Sequence, residues 1–162
     1  DIPNTVANSV RKISNFNVAL TTIHLNGGKD MIEAASIEKG NIKILGVSIL
    51  TSLSENDIFE ITHTEFDAYF NNLISIASNS NIDGVVCSPN ELDKLKDFNK
   101  LKVVPGIRND ILDDDQKRVM SSMEAYEKGA DFIVVGRPIT KSQDPRKALE
   151  LFLWNSTRLL IA

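Results

Sequence analysis

Short apolar runs alternate along the chain with longer amphipathic stretches. Five runs are rich in valine and isoleucine and show little polar alternation, which is typical of strands buried on both faces of a parallel sheet. They predict strands at residues 17–24, 42–50, 82–87, 101–104 and 131–135. The intervening stretches predict helices, so the expected order is one helix followed by five strand–helix units.

Several predicted helices carry sequence signals at their ends. The segment SPNE at residues 88–91 combines an N-cap serine, a proline at the first helical position and a glutamate three residues after the cap. The segment TEFD at residues 64–67 resembles the same capping box. Gly129 follows a predicted helix at residues 116–128 and is suited to end it in the left-handed conformation. These signals support helices between the strands.

Repeated strand–helix alternation predicts a parallel sheet with right-handed crossovers. Two architectures fit this pattern, an open doubly wound sheet and part of an eight-stranded barrel. The length of 162 residues slightly favours the open sheet, because a complete barrel needs about 250 residues.

Composition narrows the class of protein. The chain has 18 Lys and Arg against 22 Asp and Glu, so it lacks the basic excess of a nucleic-acid-binding module. It contains no run of eighteen apolar residues, so we expect no contact with a membrane. One cysteine and two histidines cannot form an internal disulfide or a cysteine-rich zinc site. We expect a cytoplasmic protein without metal or cofactor.

Glycine and arginine follow two consecutive predicted strands. Gly136 and Arg137 come after the last strand, and Gly106 and Arg108 come after the strand before it. Glycine lets a ligand approach the backbone, and the guanidinium group matches the oxygens of a phosphate. Because ligands bind at the carboxyl ends of parallel strands, the pair predicts a phosphate site. The alternative is a pair of polar surface turns.

Three other strand ends carry polar or reactive side chains. Thr51 and Ser52 follow the second strand, where their hydroxyls suit either a polar ring or local turn capping. His24 ends the first strand, and we interpret it as a structural residue rather than a catalytic base. Cys87 ends the third strand and is expected to pack as a small apolar group.

Seven segments together resemble the bacterial orotidine 5'-phosphate decarboxylase family. They are DIPNT at residues 1–5, HLNGG at 24–28, ILGVSILTS at 44–52, GVVCS at 84–88, PGIR at 105–108, DDQKR at 114–118 and VVGRPI at 134–139. The resemblance implies a (β/α)8 TIM barrel, which replaces the open sheet. The five strands then correspond to strands four to eight of an incomplete barrel. Residues 1–162 are accordingly expected to be the C-terminal portion of a single decarboxylase domain whose N-terminal third is missing.

The resemblance also implies a reaction. The family converts orotidine 5'-phosphate into uridine 5'-phosphate and CO2 in de novo pyrimidine biosynthesis without a cofactor. Asp1 matches the final aspartate of a catalytic Asp–Lys–Asp–Lys array. The catalytic lysine is expected just before residue 1, so this chain alone is expected to be inactive. Asp1 and Thr5 resemble residues that reach into the partner subunit, which implies a homodimer with shared sites.

The remaining expected site residues contact the nucleotide. Thr51 matches the position that contacts the pyrimidine amide, and Pro105 resembles a residue that lines the base pocket. Four residues match the family's phosphate contacts: Arg108, Gln116, Gly136 and Arg137. One departure is Ser121-Ser122, where the family usually has Thr-Pro.

Two alternatives to a decarboxylase stay open at this point. One is a related sugar-phosphate enzyme of the same barrel superfamily, such as a hexulose-phosphate synthase. The other is an inactive or non-folding fragment that at most binds nucleotide phosphate. The DIPNT segment and Thr51-Ser52 favour the nucleotide enzyme over the sugar-phosphate enzyme.

Overall fold

The described part of the computed structural model, residues 1–108 and 120–157, is built on one parallel sheet. Five strands lie side by side in chain order, and every neighbouring pair is parallel. The strands are β1 (Leu20–His24), β2 (Lys43–Val47), β3 (Gly84–Val86), β4 (Leu101–Val104) and β5 (Phe132–Ile133). Each lies within its predicted range, so the predicted parallel sheet is confirmed.

Helices connect the strands and cover one face of the sheet. They are α1 (Pro3–Ser14), α2 (Gly28–Ile37), α3 (Glu55–Thr62), α4 (Phe66–Ser78), α5 (Ser122–Glu127), α6 (Arg137–Thr140) and α7 (Pro145–Thr157), with 3-10 helices at Leu25–Gly27 and Pro89–Leu95. In the described ranges, no helix has the length and apolar character needed to cross a membrane.

The predicted capping box at Ser88 is confirmed, although it starts a 3-10 helix. The backbone N–H of Ser88 donates to Oε2 of Glu91 at 2.8 Å, and the Ser88 hydroxyl accepts from the backbone N–H of Asn90. Gly129 has φ +93° and follows α5, which confirms its predicted left-handed conformation. Ser121, at the departure from the family pattern, forms another capping box with Glu124.

The predicted capping box at residues 64–67 is wrong. The N-cap of α4 is Glu65, which makes no side-chain capping hydrogen bond. The Thr64 hydroxyl instead donates to the carbonyl of Thr62, because this segment turns out of the preceding α3, where His63 is left-handed with φ 52°. Helix α3 was not predicted. It begins with a capping box between Ser54 and Asp57.

The two faces of the sheet have different surroundings. Ile23, Ile44, Val85 and Val104 point to the outer face and belong to the hydrophobic core formed with the helices. The inner face carries the residues between them along each strand. Leu45 and Val103 are buried there, whereas Thr22 and Phe132 are exposed. The inner face is therefore buried at β2 and β4 and open at the two edge strands, β1 and β5.

Carboxylates join neighbouring strands at the amino ends of the sheet. Asp83 precedes β3 and accepts from the backbone N–H of Ile44 in β2 at 2.8 Å and from Nζ of Lys39 at 2.7 Å. Burial alone would raise the pKa of Asp83, but these hydrogen bonds outweigh it and hold the pKa below its usual value. Asp131 makes the equivalent link, accepting from the backbone N–H of Lys102 in β4 at 2.7 Å.

Candidate functional site

The two predicted phosphate-binding arginines follow neighbouring strands in matched positions. Val104 of β4 pairs with Ile133 of β5. Arg108 lies four residues after Val104, and Arg137 lies four residues after Ile133. Because β4 and β5 are parallel, both arginines come from the same end of the sheet. The fold therefore brings together the two strand ends that the sequence singled out.

Arg108 is held in a defined turn rather than on an open surface loop. Only 7% of the residue is exposed. Its backbone N–H donates to the carbonyl of Met120 at 2.9 Å, and Ile107 forms an isolated parallel bridge with Met120. Gly106 has φ +78°, a conformation that glycine adopts without a steric cost. A buried guanidinium on a fixed backbone is suited to orient an anion.

Gly136 leaves open space beside the second arginine. Among the residues that the structure describes, a Cβ built on Gly136 would meet no heavy atom within 4 Å outside its chain neighbours. Its carbonyl accepts from the backbone N–H groups of Ile139 and Thr140, which fixes the start of α6 at Arg137. Arg137 is half-buried at that position. Gln116, the fourth expected phosphate contact, lies outside the described residues.

Thr51 and Pro105 also follow the carboxyl ends of strands. Both are half-buried, Thr51 in the turn after β2 and Pro105 directly after β4. Ser48 anchors the segment before Thr51, because its backbone N–H and its hydroxyl both donate to the carbonyl of Val86 at 3.0 Å. Both expected pyrimidine contacts thus lie at the same end of the sheet as the arginines.

Asp1 borders a cavity at the carboxyl end of β1. The cavity has a volume of about 390 Å3, and its lining includes Thr22, His24 and Asn26 besides Asp1. Asn26 is oriented by the hydroxyl of Tyr69, which donates to its Oδ1 at 2.7 Å. Thr5 is exposed on α1 and does not line this cavity.

The sequence does not predict that Thr22, His24 and Asn26 line one cavity. The sequence favours a structural role for His24, but the residue is exposed and lines the cavity that Asp1 borders. The sequence signal that could have indicated a site here is the position of His24 at the carboxyl end of β1. The approach of Asp1 depends on how α1 packs, which the local sequence does not specify.

Cys87 behaves as the predicted small apolar residue. Burial, and then the charge of Glu91, raise the pKa of its thiol to about 12. The thiolate is the nucleophilic form, so Cys87 is inert at neutral pH. Across the two described ranges, no group of three or more His, Cys, Asp or Glu side chains is placed to hold a metal ion.

Fold and site together define a class of protein. Parallel strands end in two matched arginines, an open glycine and a cavity with an aspartate and a histidine. This arrangement is typical of α/β enzymes that bind a phosphorylated substrate at the carboxyl ends of their strands.

Comparisons with known proteins identify the family. A sequence model of the orotidine 5'-phosphate decarboxylase / HUMPS family matches residues 1–152. Orotidine 5'-phosphate decarboxylase from Wolbachia pipientis is 42% identical over 165 residues, covering 97% of this chain and 72% of that protein. The enzyme of the same name from Aquifex aeolicus is 43% identical, covering 93% of this chain and 68% of that protein. The chain belongs to the orotidine 5'-phosphate decarboxylase / HUMPS family.

Solved structures agree with this assignment. Orotidine 5'-phosphate decarboxylase from Lactobacillus acidophilus is 34% identical and superimposes with a TM-score of 0.81. The match covers 96% of this chain and 70% of that one. Such enzymes are TIM barrels, and the five-stranded arc is an incomplete barrel of the same kind. The expected fold class is confirmed, and the slight preference for an open doubly wound sheet was wrong.

Proposed function

We propose that this chain is the nucleotide-binding part of an orotidine 5'-phosphate decarboxylase. One observation carries the proposal: Arg108 and Arg137 stand four residues beyond paired positions on adjacent strands. Two guanidinium groups from one end of a parallel sheet suit the 5'-phosphate of a nucleotide. Gly136 supports this placement, because the space beside it is open to a ligand.

The other proposed contacts orient the pyrimidine. Thr51 hydrogen-bonds the pyrimidine amide, and Pro105 lines the base pocket. Gln116 completes the phosphate contacts with Arg108, Gly136 and Arg137. Because the phosphate is remote from C6, its binding energy serves to align and enclose the reacting end.

The chemical step requires more charged groups than these. In the proposed reaction the bond between C6 and the carboxylate breaks, CO2 leaves, and a proton replaces it on C6. Prepositioned charges stabilise the carbanion that develops at C6. Asp1 is the proposed final member of this array, and the lysine that protonates C6 belongs to the segment preceding DIPNT in the family. Residues 1–162 thus contribute Asp1 to this array together with the proposed nucleotide contacts.

We further propose how the protein is organised. Residues 1–162 belong to one barrel domain, and two copies form a homodimer in which Asp1 and Thr5 complete the neighbouring site. Both residues are exposed, as a contribution to a partner subunit requires. The proposed location is the cytoplasm, where pyrimidine biosynthesis takes place.

Binding of uridine 5'-phosphate to the 162-residue chain tests this proposal by calorimetry. Arg137→Ala should weaken the affinity roughly 10- to 150-fold, because a hydrogen bond to a charged group contributes about 1.5–3 kcal/mol. Arg146→Ala is the matched control, since Arg146 is an exposed arginine on α7.

The comparison with uridine separates phosphate recognition from base recognition. Arg137→Ala should leave the weaker affinity for uridine unchanged, because uridine has no phosphate. Equal affinities of the parent, Arg137→Ala and Arg146→Ala chains for uridine 5'-phosphate would refute the phosphate assignment.

A further inference from the structure

His24 belongs to a row of paired residues that crosses the inner face of the sheet. Each strand contributes one residue, because His24 pairs with Val47, Val47 with Val86, Val86 with Val103 and Val103 with Phe132. Residues paired across neighbouring strands point to the same face of a sheet. Four members of this row are apolar, and His24 is its polar member. The inner face therefore offers an apolar surface with one imidazole at its edge.

The imidazole of His24 does not hold the fold together. It is exposed, and within the described ranges its side chain makes no hydrogen bond or ion pair. The backbone around it is fixed, because β1 pairs with β2 as far as His24 and the next residue, Leu25, is fully buried. The Tyr69 hydroxyl donates to Oδ1 of Asn26 at 2.7 Å, so α4 also holds the following turn. A hydrogen-bonding ring on a fixed backbone is suited to contact a ligand.

The position of His24 decides which part of a nucleotide it meets. His24, Ser48 and Leu50 line one cavity of about 100 Å3. Leu50 directly precedes Thr51, so the histidine lies beside the segment proposed to bind the pyrimidine. Strand β4, which leads to Arg108, is three strands away from β1, or about 14 Å along the sheet at the usual strand spacing. The imidazole therefore lies beside the base and remote from the phosphate.

We propose that His24 binds the pyrimidine of the nucleotide by donating an imidazole N–H to a carbonyl oxygen of the ring. The faces of such a ring are flat and its edge carries carbonyl acceptors, which suits an apolar surface with a donor at its edge. A neutral imidazole already carries one N–H donor, so the contact requires no change of charge. This inference rests on the proposed function and adds to it a residue that recognises the base.

NMR of the histidine rings tests the proposal, because the chain has two histidines. Their signals are followed while the 162-residue chain is titrated with uridine 5'-phosphate, uridine and ribose 5-phosphate, and His63→Ala assigns them. We expect the two ligands that contain the base to shift the His24 signals and ribose 5-phosphate to leave them in place. His63 is the internal control, since it is exposed at the end of α3 and lines neither cavity at the end of β1.

Calorimetry measures what the contact contributes to binding. His24→Ala should weaken the affinities for uridine 5'-phosphate and for uridine by the same factor, roughly 2- to 12-fold, as expected for the loss of one neutral hydrogen bond. It should leave the affinity for ribose 5-phosphate unchanged. His24→Gln retains an N–H donor and should restore part of the affinity, whereas His63→Ala should change none of the three affinities. The titration of the parent chain keeps the test valid if His24→Ala does not fold.

The outcomes separate the base contact from the proposed function. An equal loss of affinity for all three ligands would overturn the proposal, because it would give His24 a purely structural role. A shift of the His24 signals by ribose 5-phosphate, or no shift by uridine, would overturn it as well. If Arg137→Ala lowers the affinity for uridine 5'-phosphate and His24→Ala does not, the phosphate assignment stands and the base contact is wrong. If none of the ligands binds, both the proposed function and this proposal are contradicted.

Discussion

The outer and inner faces of the sheet differ in how far their side chains are buried. On the outer face, Ile44, Val85 and Val104 are fully buried against the helices. On the inner face the central strands also carry buried residues, but Phe132 and Val134 at the β5 edge remain half exposed. The outer face is thus packed against helices, whereas burial on the inner face falls off toward the edge of the sheet.

Two phenylalanines provide the strongest test of this difference. Phe70 on α4 is fully buried in the outer core, whereas Phe132 is half exposed on the inner face. Phe70→Ala should lower the free energy of unfolding by about 3–5 kcal/mol, since it leaves a cavity in a packed core. Phe132→Ala should lower it by less than about 1 kcal/mol, in the range of partly exposed substitutions. Urea denaturation measures both, and Phe70→Leu serves if Phe70→Ala does not fold.

Replacing two valines by threonine should change the free energy of unfolding by less, because threonine has nearly the same shape as valine. Val104→Thr should cost about 1–3 kcal/mol in unfolding free energy, because it buries a hydroxyl in the outer core. Val134→Thr should change it by less than about 0.5 kcal/mol, since the side chain is half exposed. Equal costs for the two would show that the inner face is covered in solution.

A substitution of Asp83 tests the hydrogen bonds between neighbouring strands rather than the packing on either face of the sheet. Asp83→Asn should cost about 1–2 kcal/mol at pH 7, because it weakens the links to Lys39 and Ile44. The folded pKa is lowered, so the carboxylate stabilises the fold above its unfolded pKa of about 3.9. This contribution is lost as the pH falls through the folded pKa. The unfolding free energies of the two proteins should therefore start to converge below about pH 4 and meet once the pH is below the lowered folded pKa. The exposed Asp97→Asn is the control, and a gap that persists at low pH would contradict the assigned hydrogen bonds.

The strands were predictable because each is a short apolar run, and the 101–104 strand matches Leu101–Val104 residue for residue. The Ser88 cap was predictable because a serine, a proline and a glutamate stand at fixed offsets. Helix α3 was missed because its capping box uses Asp57 in place of the usual Glu or Gln. The error at Thr64 has the opposite cause: a matching local pattern was overridden by the turn that leaves α3.

The site residues that directly follow strands could be predicted from the sequence. The contacts that depend on packing between distant segments could not. Arg108 and Arg137 could be paired from the strand order alone. That Arg108 is buried depends on contact with Met120, twelve residues further along the chain. The cavity shared by Asp1 and His24 depends on the position of α1 beside β1. Such long-range contacts leave no periodic signal in the sequence.

The unreactive thiol of Cys87 can be used to measure how often the centre of the sheet unfolds. The residue follows β3, the middle strand, and is buried. Its pKa of about 12 leaves almost no thiolate at neutral pH while the fold is intact. Alkylating reagents will modify this sulfur only in molecules whose central strand has come apart. The labelling rate therefore measures the population of these opened molecules, and no cysteine has to be introduced for the experiment.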